Sequence, residues 1–304
     1  MNIHRLIRRI LLSALALAAA ALVASLAATH VSTASAKPAQ KAASENWAGY
    51  DVTGQQFSSV SGSWIQPRAN ANAGSSQGYS AFWVGLGGSS SGSRSLEQVG
   101  TASSFVDGHT QYSAWYELVP LGQVKLNITI HPGDKISGKV AVNGNAVTVS
   151  LSDRTTGDSV VKTLQMSSPD TSSAEWIAEA PATETFDGNY RILPLADFGK
   201  VTFTDAVATA GEHTGGIADS HWSATRIQLQ SGTRSPTLDS GFPGFAAGPS
   251  LSQATSGATT SKLSGDSFSV AWQAASDSPS SSVAGGSPSD PAEGQFPAFG
   301  NPPG

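Results

Sequence analysis

Indole rings beside carboxylates and amides make surfaces that grip a polar polymer, and four segments of this chain offer that combination. They are Asn46-Trp47-Ala48-Gly49, Phe82-Trp83-Val84-Gly85, Ala114-Trp115-Tyr116-Glu117 and Ala174-Glu175-Trp176-Ile177-Ala178-Glu179. Any one of these Trp residues alone would read as core filling with a satisfied N–H. Within the last segment, strand alternation puts Glu175, Ile177 and Glu179 on one face, with the two acids about 13 Å apart along it. They cannot work as a close carboxylate pair. Other chemistries lose support: there is no Gly-Lys-Ser/Thr and no His-Glu-x-x-His. The sequence has no cysteine, which rules out thiol catalysis, disulfides and Cys-based metal centres. His109, His131, His213 and His221 show no helical metal-ligand spacing, so each reads as a solvated loop histidine and no metal is expected.

The elements that must carry these residues are strands. Val124, Leu126, Ile128 and Ile130 alternate with polar neighbours, as do Ile136, Val140 and Val142, then Val147, Val149 and Leu151. Asn143-Gly144 between the last two runs is a hairpin signal. Val201/Phe203 and Phe268/Val270/Trp272 repeat the pattern. With no amphipathic helix of ordinary length in the mature part, the fold class is all-β, a sandwich or a barrel.

The ends of the chain read differently. Arg5, Arg8 and Arg9 precede an apolar run from Ile10 to Ala28, and Ala34-Ser35-Ala36 supplies a small-residue cleavage site, so residues 1–36 are expected to be a signal peptide and the protein secreted. Residues 37–44 are a short polar lead, 45–275 the domain, 235–260 a long Gly/Pro/Ser loop within it, and 276–304 a disordered Ser/Pro/Gly-rich tail. Without residues 1–36, fourteen basic residues face twenty-two acidic ones, a net charge near −8. Such a surface should not seek nucleic acid or an anionic membrane.

Six segments in order carry a resemblance to the glutamic peptidase (eqolisin) family: Asn46-Trp47-Ala48-Gly49, Trp83-Val84-Gly85-Leu86, Leu96-Glu97-Gln98-Val99-Gly100, Ala114-Trp115-Tyr116-Glu117, Ala174 to Glu179, and Ala196-Asp197-Phe198-Gly199-Lys200-Val201-Thr202-Phe203. The resemblance implies an antiparallel two-sheet β-sandwich of the concanavalin-like or jelly-roll type, with a substrate groove across one concave sheet. It further implies an acid-active endopeptidase, monomeric and without cofactor, acting on polypeptide substrates through Gln98 and Glu179. By position it assigns Trp47, Trp83, Trp115 and Glu117 to substrate binding. Those roles suit the residue types: Glu179 would take a proton from water, and the Gln98 amide would donate to the developing oxyanion at any pH. A carboxylate held by hydrogen bonds is expected to stay ionised in mild acid. The chain departs from the family where acids give way to Gly87, Ala102 and Ser113, which bears on pH range and specificity. Two other readings compete: a Trp-lined sugar-binding or glycosidase sandwich using Glu117 with Glu179, and an inactive surface protein.

Overall fold

A computed structural model of the chain describes residues 39–70, 76–90, 92–184, 190–230, 232–233 and 254–275. The expected signal peptide, most of the long loop and the expected tail lie outside the described residues. Among the described residues every regular element is a strand, and none is a helix long and apolar enough to cross a membrane.

One hydrogen-bonded path joins fourteen strands. It begins with β10 (Ser159–Gln165), β9 (Ala146–Asp153), β8 (Lys135–Asn143), β3 (Phe57–Ile65), β14 (Lys200–Ala210), β20 (Phe268–Gln273) and β19 (Gly257–Thr260). It continues through β16 (Ser223–Leu229), β2 (Trp47–Thr53), β11 (Ser173–Glu179), β4 (Gln77–Gly87), β5 (Leu96–Val106), β6 (His109–Val119) and β7 (Val124–Leu126). β15 (His213–Gly216) folds back on β14, and β1 (Gln40–Ser44), within the polar lead, adds to β16 in parallel. Two small ladders stand apart: β12 (Ala182–Glu184) with β13 (Tyr190–Ile192), and β17 (Gly232–Thr233) with β18 (Ala254–Thr255).

The all-β expectation holds, but the sheet is a single, nearly closed, barrel-like one, where two separate sheets were expected. The reason is the seam between β16 and β19, a rung at Leu229 and Ala258 that links the two halves into one ladder. The path stays open at its two ends, where β10 pairs only with β9 and β7 only with β6. The two halves meet across an apolar interior that contains Trp64, Trp176, Phe82, Phe203 and Phe268. Two indoles cross it: Trp176 Nε1 on β11 donates to the Ser61 carbonyl on β3 at 2.8 Å, and Trp64 Nε1 on β3 donates to Thr101 Oγ1 on β5 at 3.0 Å. Each buried N–H is thereby satisfied while its ring fills the core.

Local expectations fared unevenly. Leu126, Ile128 and Ile130 are buried in alternation, yet the ladder ends at Leu126. The β8–β9 hairpin turns at Gly144-Asn145, one residue later than the Asn143-Gly144 signal, because Asn143 still pairs with Ala146. Gly144 has φ +57°, the conformation that the first position of a two-residue hairpin loop requires. Within the expected loop, Gly257–Thr260 is a strand that forms the seam.

Candidate active site

The outer face of β2, β11, β4, β5 and β6 collects the residues that the sequence singles out. Register arranges them in rungs: Trp47, Glu179, Ala81, Ala102 and Ser113 in one; Gly49, Ile177, Trp83, Gly100 and Trp115 in the next; Asp51, Glu175, Gly85, Gln98 and Glu117 in the third. Strand alternation gives all three rungs the same face. Trp47, Ala81, Trp83, Ala102, Trp115 and Ile177 pack there as an apolar cluster separate from the interior core. Trp47 meets Trp83 edge-on at 5.0 Å.

Glu179 ends β11 with part of its surface open to solvent. Its Oε2 accepts from Trp83 Nε1 at 2.7 Å and its Oε1 from Asn46 Nδ2 at 3.1 Å. Burial nevertheless outweighs these donors and pushes the carboxyl up to about 7. The sequence argument, that hydrogen bonds would keep it ionised in mild acid, counted the donors and not the desolvation.

Gln98 is buried, and its Nε2 donates to Glu117 Oε2 at 2.7 Å. Glu117 is itself buried, which corrects any reading of it as a solvated strand-end acid. Burial first, then the nearby Glu179 charge, raises it to about 8, with the Gln98 hydrogen bond opposing. The charge of one acid opposes that of the other, so the two do not readily ionise together.

Register raises a question about the base. Glu175, not Glu179, is level with Gln98, across the side-chain-free Gly85. Glu179 is level with Ala102, four residues along β5, about 13 Å of strand. Exposure separates the candidates. Glu175 has no solvent contact, and burial together with Asp51, Asp170 and Glu97 pushes its ionisation far up, Ser173 offsetting only part. A group sealed in that way cannot meet a substrate.

The sequence profile of the Peptidase A4 family matches residues 45–241. The chain belongs to that family. It is a glutamic peptidase, 32% identical over 198 residues to aspergillopepsin-2 of Aspergillus niger, a match covering 58% of this chain and 68% of that one. Two solved structures of scytalido-glutamic peptidase, one with a transition-state analogue inhibitor and one with a peptide-based analogue, superpose with TM-score 0.58 over 75% of this chain and 98% of theirs, at 25% and 26% identity.

Sequence reasoning about this peptidase missed three things. Asn46 was noted only as Trp47's neighbour, although its amide holds Glu179. Asp170 was not singled out, yet its Cβ and backbone carbonyl pack where a side chain at position 87 would go: a Cβ on Gly87 would lie 2.6 Å from Asp170 Cβ. And His213 and His221 are not separate solvated rings, because they stack at 3.6 Å with Asp219 joining them. His131 likewise lies 3.5 Å from Asp134.

Proposed function

We propose that this glutamic peptidase is a secreted endopeptidase in which Glu179 is the general base and Gln98 the oxyanion donor. The observation that carries the assignment is the contrast between the two glutamates of β11: Glu179 meets solvent and is gripped by Trp83 and Asn46, whereas Glu175 is sealed. The substrate strand would lie over the Trp47, Trp83 and Trp115 cluster; although their backbones are offset, the Glu179 charge is felt at Glu117, which Gln98 holds, so the two side chains would reach the scissile bond from either end. Ionised Glu179 takes a proton from water as the water attacks. Gln98 Nε2 has two hydrogens, one committed to Glu117 and the other available to the oxyanion. Protonated Glu179 then returns its proton to the leaving amine.

Glu117 is a positioning residue in this scheme. By staying protonated while Glu179 ionises, it confines the groove's negative charge to the base. Because Glu179 titrates near 7, the working range is weakly acid to neutral rather than strongly acid. Export from the cell rests on residues 1–36 and their cleavage site.

The test is cleavage of an unfolded protein by the purified secreted chain. Glu179→Gln removes the base and is expected to abolish turnover, while Gln98→Ala lowers kcat by about 10²–10³-fold, the usual cost of an oxyanion donor. Normal cleavage by either variant overturns the assignment.

A further inference from the structure

We propose that His213, Asp219 and His221 bind one divalent transition-metal ion of the zinc, nickel and copper class. His213 opens β15, and Asp219 and His221 lie in the turn between β15 and β16. Asp219 Oδ2 is 2.9 Å from His213 Nε2 and Oδ1 is 2.7 Å from His221 Nδ1. One ligand atom from each of the three residues falls within 4.8 Å of the others. Two imidazoles with one carboxylate suit this class of ion rather than calcium or magnesium, which favour oxygen ligands throughout.

The site is held in shape by groups that are not ligands. The backbone N–H of His221 donates to Asp219 Oδ1 at 2.9 Å, fixing the carboxylate between the rings. On the other side Gly215 leaves room for it, since a Cβ there would lie 2.2 Å from Asp219 Oδ2. Trp222 stands edge-on to His213 at 5.6 Å, and its Nε1 donates to the Ile217 carbonyl at 3.3 Å.

Converting the clasp to a metal site needs little movement. Ligand atoms on one zinc at about 2.0–2.2 Å sit on the order of 3.3 Å apart, so the two short contacts open by about half an ångström, the widest separation, within 4.8 Å, closes, and the stacked rings turn apart to aim both lone pairs at one point. Each imidazole moves its proton to its other ring nitrogen and turns a lone pair to the ion. The side chains of His213 and His221 are 38% and 58% exposed, which admits the ion, leaves coordination positions to water and solvates the displaced N–H. The site is remote from the groove: His221 precedes Ser223, whose partner Thr53 is at the end of β2 opposite Trp47, the partner of Glu179. A bound ion would tie the β14–β15 hairpin to the approach to β16 in a chain that has no disulfide.

The test is calorimetric titration of the tag-free full chain with Zn²⁺ slightly above neutral pH, with melting temperature as a second readout. Wild type is expected to take up one ion per chain and to melt at higher temperature with zinc present. His221→Ala and Asp219→Asn should each weaken binding at least about tenfold and abolish the thermal shift, while His109→Ala, at the exposed start of β6, changes neither. The proposal is overturned if wild type shows no saturable uptake, or if His221→Ala binds and is stabilised as wild type is.

Discussion

At the scale of single residues, the groove of this peptidase is shaped as much by replaced acids as by the residues it keeps. Ala102 and Ser113 complete the rung that contains Glu179, so no second carboxylate sits level with the base there. At Gly87 the change is structural: φ is +81°, and Asp170 packs against the Cα. Restoring an acid with Gly87→Asp forces an L side chain into a left-handed conformation and against Asp170. The expected loss is about 1–3 kcal/mol of stability from backbone strain alone, read from urea denaturation. An unchanged midpoint would mean that the segment adapts. Gln98 and Glu179 were legible only through the order of six weak segments, since alternation treats Glu175 and Glu179 alike. What sequence could not supply was exposure. That one difference separates the two acids, and it depends on the loop around Asp170 that closes over Glu175.

At the scale of elements, β5, β6 and β11 carry buried acids whose consequence reaches beyond catalysis. Burial is the largest cause in each case: it raises Glu97 to about 8 against hydrogen bonds from Asp170 and Ser95, raises Glu117 to about 8, and moves Glu175 further still. In the unfolded chain each ionises near its ordinary value of 4.5. The folded state thus binds more protons than the unfolded one between those values. Their contribution to stability is complete below about 4.5 and is lost as pH rises through about 8. Melting temperature should therefore fall steadily from pH 5 to pH 8, and Glu175→Gln should flatten the slope; a flat or rising wild-type profile would contradict this. The strands themselves were readable from alternation, as in β8 and β9, where every second residue is buried. The histidine clasp was not, because His213 and His221 meet only when a hairpin and the following turn fold over each other, and spacing in sequence has no period for that.

At the scale of the whole molecule, one ladder folded around a shared interior replaces two independent sheets. The sequence pattern could not decide this: alternation reports which face of a strand is buried, and is silent on whether a rung such as Leu229 to Ala258 joins one half to the other. The halves are instead held face to face by Trp176 and Trp64, whose N–H groups reach across the core. Trp176→Ala should cost about 3–5 kcal/mol in urea denaturation and lower cooperativity, because it removes ring volume and leaves the Ser61 carbonyl without that donor. On the outer face a separate pair of indoles, Trp47 and Trp83, holds the carboxyl of Glu179, so fold and catalysis meet in one ionisation. The measurement that reads it is the pH dependence of kcat/KM on a peptide substrate for wild type and Trp83→Phe. The account predicts an acid limb near 7 in wild type, moved to higher pH in the variant because a donor that stabilises ionised Glu179 is gone. A limb far below 7 in wild type, or one that Trp83→Phe leaves in place, would contradict Glu179 as the base.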